Sequence, residues 1–179
     1  LRMTASVAFG VRRLGPLLPG LHAAFPDLVF DILYSDANVD LVGERVDLAI
    51  RLGPARDSDL VGVKLMNTHY RVCASPGYLA RKTAALDDPA ALARHPCLRF
   101  RFAPFDVRWL ARANETAEIL EIPVDGPLLA SNALALQDAA RAGLGPALLA
   151  DWLVAEDVAA GALVELFPSY EFTATTWDT

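Results

Sequence analysis

The sequence predicts an α/β fold in two lobes. Three observations carry this: strands and helices alternate through the first fifty residues, the pattern changes to two strands in quick succession from Leu60, and apolar residues are plentiful enough for a large core. The 179 residues are 54% hydrophobic and 21% charged, well outside the polar, charge-dense range in which a chain fails to offset its conformational entropy. Sixteen Lys and Arg against 22 Asp and Glu leave a net charge of −6, so the surface as a whole repels phosphate backbones. The longest stretch free of charged residues, Leu14 to Pro26, falls short of the ~18 apolar residues of a membrane span and holds His22 and two prolines. A cytoplasmic location is expected.

Leu1 to Ala5 reads as a short strand, with Ser6 where a helix N-cap would sit. Val11, Leu14, Leu18, Leu21 and Phe25 recur at steps of three and four, which is one apolar stripe of a helix closed by Pro26; Pro16 and Pro19 argue against a straight one. Leu28 to Tyr34 and Val46 to Ile50 read as strands, with Val39 to Glu44 long enough for one or two helical turns between them. Strand, helix, strand, helix, strand is the grammar of a parallel sheet. Leu60 to Leu65 and His69 to Ala74 follow as strands, then a turn at Ser75-Pro76-Gly77, with a lobe boundary near Asn67. Lobe one is expected over 1–68 and lobe two over 69–179.

In the second lobe the expected elements are a helix from Pro89 to Arg94, extended segments at Leu98 to Phe102 and Pro127 to Ala130, and a helix from Ser131-Asn132 to Ala142 ended by Gly143. Ala147 to Leu149 reads as a buried strand and Asp151 to Val158 as a helix stopped near Gly161. Leu163 to Phe167 and Phe172 to Trp177 read as the last strands.

No catalytic constellation is spelled out. There is no Gly-x-Ser-x-Gly elbow, and Gly143-Leu144-Gly145 runs into Pro146 without a third glycine, so the dinucleotide and phosphate-loop fingerprints both fail. His22, His69 and His95 are scattered, and His95-Pro96-Cys97 is half a metal cluster without its second half. No catalytic residue, metal or cofactor is expected. Cys73 and Cys97 read as reduced core cysteines, because a chain this rich in apolar residues needs no disulfide framework; a redox-sensing pair is the alternative. Chemistry of another kind gathers at strand ends. Thr4 and Ser6 at the end of the first strand, Ser35 and Asp36 after the second, and Arg51 after the third stand where open parallel sheets take ligands. Arg99 and Arg101, which alternate with Phe100 and Phe102, and Asn132 at a helix start are the second lobe's candidates for an anionic or planar ligand.

These residues carry a resemblance. Ser6-Val7-Ala8-Phe9-Gly10, Phe25-Pro26-Asp27, Val39-Asp40-Leu41-Val42, Asp47 to Gly53 and Leu60-Val61 resemble, in order and spacing, the effector-binding domain of LysR-type transcriptional regulators. So do Cys73 to Leu79, His95-Pro96-Cys97-Leu98, Trp109, Asn132 and Ala142 to Gly145, and the DLAIR and CASPGYL strings are most similar to the subgroup of the glycine-cleavage activator. The resemblance implies two Rossmann-like lobes of the type II periplasmic-binding-protein kind with a small effector in the cleft between them; a helix N-terminus at Ser6 facing the second lobe's arginines leads us to expect a small carboxylate or amino-acid-like anion. Its contacts would fall on Ser6, Ser35, Ile50 to Leu52, Arg99 to Arg101 and Asn132. It also implies homodimers or homotetramers, and DNA binding through an N-terminal winged helix-turn-helix outside these residues, in keeping with a start on Leu1. Family members return to the first lobe through a C-terminal helix, about where this chain stops. The rival on the same architecture is an extracytoplasmic solute-binding protein of a transport system.

Overall fold

The computed structural model describes residues 1–53 and 61–175, which fall into two compact units, Leu1–Ala55 and Arg56–Thr179. In the first unit, strand β1 (Arg2–Ala5) lies between β2 (Asp31–Tyr34) and β3 (Leu48–Ile50), parallel to both. The parallel grammar of the sequence is thereby realised.

A helical run links β1 to β2 and accommodates both prolines by changing its winding. Helix α1 (Val7–Phe9) passes into a wide π turn (Gly10–Leu14), a 3-10 turn (Gly15–Leu17) and helix α2 (Leu18–Ala24). Pro16 and Pro19 each fall in the first turn of a new segment, where no intrahelical N–H is required. Gly10 sets the distance to the sheet: a Cβ there would collide with the Tyr34 ring. Met3, Ala5 and Leu14 are the buried centre of this unit, flanked by Leu18, Phe30, Ile32, Tyr34 and Ile50.

The second unit is an eight-stranded mixed sheet ordered β7-β6-β11-β4-β9-β5-β8, with β10 also on β4. Its strands are β4 (Tyr70–Ala74), β5 (Pro96–Phe100), β6 (Arg108–Ala113), β7 (Ile119–Pro123), β8 (Asp125–Ala130), β9 (Ala147–Ala150), β10 (Val164–Leu166) and β11 (Tyr170–Thr173). The segment β9-β5-β8 is parallel, and the remaining pairings are antiparallel. One face packs around Trp109, with Val72, Phe105, Ile122, Leu148 and Phe172; the indole Nε1 donates to the Phe105 carbonyl at 3.3 Å. Helices α3 (Pro76–Arg81), α4 (Ala133–Arg141) and α5 (Asp151–Ala159) complete the unit with a 3-10 helix at Pro89–Arg94. Gly143 at φ +82° ends α4 as expected. Helices α4 and α5 are clasped through buried Asp157, whose Oδ2 accepts from Gln137 Nε2 at 2.7 Å while Oδ1 accepts from Arg141 Nε at 2.8 Å.

Several expectations are corrected. The second strand starts at Asp31 rather than Leu28, since Val29 is largely exposed and pairing with β1 begins at Asp31. The third starts at Leu48 rather than Val46. Residues 41–45 are turns and not a helix, because the Asp40 carboxylate caps Gly43 N–H at 3.0 Å and Arg45 takes φ 51°. Residues 61–65 form no strand, and Leu60 lies outside the described residues. Ser75-Pro76-Gly77 opens α3 instead of turning, as Ser75 Oγ accepts from Tyr78 N–H at 3.2 Å and Pro76 occupies the first helical position. The β6–β7 hairpin lies in a stretch with no predicted element. The last strand spans Tyr170–Thr173, while Trp177 is outside the described residues. Among the described residues no helix is long and apolar enough to cross a membrane.

Candidate functional site

In the first unit the register brings the polar residues together. Ala5 pairs with Tyr34 on one side and Ile50 on the other, so Ser6, Ser35 and Arg51 leave the sheet side by side at its carboxyl edge. Thr4 is wholly buried one residue earlier; its hydroxyl donates to the Leu33 carbonyl at 3.0 Å and accepts from Arg51 Nη2 at 2.8 Å. Arg51 Nη1 donates to the Ser35 carbonyl at 2.6 Å. The guanidinium thus spans the ends of β1 and β2 from its own position after β3. Partial burial lowers its pKa from the ordinary arginine value, and the nearby Asp36 charge opposes that shift.

Ser6 has the extended backbone of an N-cap, yet its hydroxyl does not cap. Asp36 does that work from across the sheet edge, accepting from Val7 N–H at 3.0 Å through Oδ1. Ser35 Oγ accepts from Ala37 N–H at 3.2 Å, which is a local turn and not a helix cap. Ile50 is half-buried and packs against the Met3 cluster, contributing apolar surface.

The second unit's candidates divide. Arg99 is turned inward: Nη1 donates to the Asp106 carbonyl at 3.0 Å, and Nη2 donates to the Gly126 carbonyl at 3.3 Å and pairs with Asp125 at 3.1 Å. It braces β5 to β8. Arg101 follows β5, is exposed, and donates its backbone N–H to the Ala130 carbonyl at 2.8 Å. Asn132 Oδ1 accepts from Leu134 N–H at 2.8 Å as the N-cap of α4. Arg101 and Asn132 therefore leave neighbouring parallel strands at their carboxyl ends, the same placement that Ser6 and Arg51 have in the first unit.

Sequence reasoning missed a cavity of about 510 Å³ in the second unit, lined by Lys64, His69, Arg71, Arg112, Asn114 and Glu171 among others. Its guanidiniums are committed to glutamates, Arg71 to Glu165 at 2.7 Å and Arg112 to Glu171. Alternating charges on neighbouring strands were its only trace in the sequence. Cys73 and Cys97 are free and fully buried, and burial pushes each thiol up to about 12, against redox reactivity at neutral pH. Among the described residues no group of three or more His, Cys, Asp or Glu side chains is placed to hold a metal ion.

A family model described as the LysR substrate binding domain matches residues 1–177. The HTH-type transcriptional regulator DmlR of Escherichia coli (strain K12) is 36% identical over 181 residues, covering 99% of this chain and 57% of that protein. The HTH-type transcriptional regulator PtxR of Pseudomonas aeruginosa is 34% identical over 170 residues, covering 95% and 54%. The chain thus spans a little over half the length of these curated relatives. Among solved structures, CrgA, a LysR-type transcriptional regulator from Neisseria meningitidis, has a TM-score of 0.82 at 26% identity over 96% of this chain and 59% of that one. The full-length Vibrio cholerae virulence activator AphB, a member of the LTTR protein family, shares the fold at a TM-score of 0.83 and 24% identity, over 97% and 58%. With its two-unit α/β architecture and a family match along nearly its whole length, the chain belongs to the LysR substrate-binding-domain family.

Proposed function

We propose that this chain is the effector-sensing and oligomerisation region of a LysR-type DNA-binding transcriptional regulator, acting in the cytoplasm without catalysis. The carboxyl edge of β1, β2 and β3 would take the effector, a small carboxylate or amino-acid-like anion. The observation that supports this is the register pairing Ala5 with Tyr34 and Ile50, which lines that edge with Thr4, Ser6, Ser35, Asp36 and Arg51. Arg51 keeps unspent N–H groups for a carboxylate, and the Ser6 hydroxyl is not consumed by capping. Within the second unit, Arg101 and Asn132 are the effector-contact candidates, with Arg99 holding their strands in place. The second lobe begins at residue 69, ahead of β4.

DNA would be contacted by a winged helix-turn-helix domain of the intact regulator and not by these acidic residues. Homodimers or homotetramers would transmit the signal, and the effector can shift them only by its difference in affinity for two arrangements. The relatives are regulators, so the transport reading is not favoured. Within the family, the DLAIR and CASPGYL strings support a place near the glycine-cleavage-activator subgroup. Calorimetry of the chain with a panel of carboxylates and amino acids tests the site: Arg51→Ala is expected to weaken binding at least tenfold and Ser6→Ala several-fold. Unchanged affinity in both variants removes the edge as the binding site.

A further inference from the structure

We infer that the carboxyl edge of the first sheet selects a zwitterion, a small amino acid carrying ammonium and carboxylate together, over a plain carboxylate or a dicarboxylate, and that Asp36 is the selecting residue. This deepens the proposed function and rests on it. The inference comes from an inventory of valences. A guanidinium carries five N–H donors. Among the described residues Arg51 spends one on the Ser35 carbonyl and one on Thr4 Oγ1, which leaves three.

Asp36 carries two acceptor oxygens and gives Oδ1 to Val7 N–H. Its Oδ2 has no hydrogen-bond partner among the described residues. The two charged groups feel one another, since Asp36 supports the protonated form of Arg51. They are nevertheless held apart, because the Nη atoms of Arg51 turn to Thr4 and Ser35 while Asp36 turns to Val7. A cation and an anion with unspent valences therefore stand at one sheet edge without neutralising each other.

A plain carboxylate bound to Arg51 gains its donors but must sit within range of the Asp36 charge, and a dicarboxylate meets that repulsion twice. An amino acid places its carboxylate on Arg51 and its ammonium on Asp36 Oδ2, satisfying both. The competing role for Asp36 is purely structural, as the cap on Val7. Asparagine separates the two roles: Asp36→Asn keeps an Oδ1 acceptor for Val7 while replacing the charged Oδ2 acceptor with an amide NH2 that cannot take an ammonium.

The test is calorimetry on the 179-residue chain with two matched pairs, L-norvaline against pentanoate and L-glutamate against glutarate. Wild type is expected to bind the amino member of each pair at least tenfold tighter. Asp36→Asn should erase that preference while the Val7 amide keeps its NMR position, and Asp36→Glu should retain the preference should the asparagine variant not fold. Equal or tighter binding of pentanoate and glutarate by wild type, or an undiminished preference in Asp36→Asn, overturns the inference. If all four compounds bind alike and Arg51→Ala abolishes binding, the edge stands and the selectivity falls; if none of the four binds, both fall.

Discussion

Arg51 and Arg99 stand at comparable places, each at or just past the carboxyl end of a parallel strand, and they do opposite work. Both Nη atoms of Arg99 are committed within its own unit, to two carbonyls and the Asp125 carboxylate, and lock β5 to β8, while its buried Nε has no hydrogen-bond partner among the described residues. Arg51 finds two acceptors among the described residues and keeps donors to spare there. The units around them differ in the same sense. Among the described residues the second unit buries a cluster of eleven apolar residues that includes Trp109, whereas the first has a buried cluster of three, Met3, Ala5 and Leu14. The larger apolar cluster thus lies in one unit, while the other carries its polar strand-end residues on a modest scaffold.

The sharpest way to break this comparison is to open both cores. Trp109→Ala should cost about 3–5 kcal/mol in urea unfolding, because a wholly buried indole leaves a cavity and an unpaired Phe105 carbonyl. Leu14→Ala should cost about 2 kcal/mol, since its pocket is bordered by half-exposed residues that can close in. Equal losses would remove the contrast between the units. Hydrogen exchange should show the amides of β1 to β3 opening before those of β4 and β9.

Alkali should act next, and on the second unit alone. The Cys73 and Cys97 thiols are pushed up to about 12 in the folded chain, chiefly by burial. Above about pH 9 the unfolded chain releases these protons and the folded chain does not, so stability falls as pH rises toward 12, by up to about 1.4 kcal/mol per pH unit for each thiol. Below that window both states keep the thiol protons, and the thiols add no pH dependence to stability. Urea midpoints from pH 7.5 to 10.5 should decline, and less steeply in a Cys73→Ala/Cys97→Ala variant; parallel curves would show that the thiols are not responsible.

The smallest effect sharpens the role of Thr4. Thr4→Val preserves shape and removes one hydroxyl, with an expected loss of about 1 kcal/mol as Leu33 and Arg51 each lose a partner. The informative readout is binding: Arg51 should lose its fixed position, and affinity for any ligand of the proposed edge should fall several-fold. An unchanged affinity would mean that Ser35 alone positions the guanidinium.

Much of the fold was legible because hydrophobic period and punctuation are local. Pro26 and Gly143 mark real helix ends, and Asn132 is a real cap. The β6–β7 hairpin was not legible, because Ile119 and Leu120 are exposed at a sheet edge and leave no burial alternation to read. Strand starts at Leu28 and Val46 were placed too early, since apolar residues there lie exposed or in turns and only pairing with β1 defines the strand. At the candidate site, residue types at strand ends were visible; their partners were not.

The sequence by itself determined the α/β class, the parallel first sheet and the polar residues behind its strands, because these follow from apolar spacing, turn chemistry and chain order. Only the tertiary structure decided that Asp36, and not Ser6, caps Val7, that Arg99 is consumed by Asp125 and two carbonyls, and that Arg51 keeps donors unspent. The physical reason is that a hydrogen-bonding valence is settled by whichever partner the fold brings within about 3 Å, and those partners lie 7 to 47 residues away along the chain.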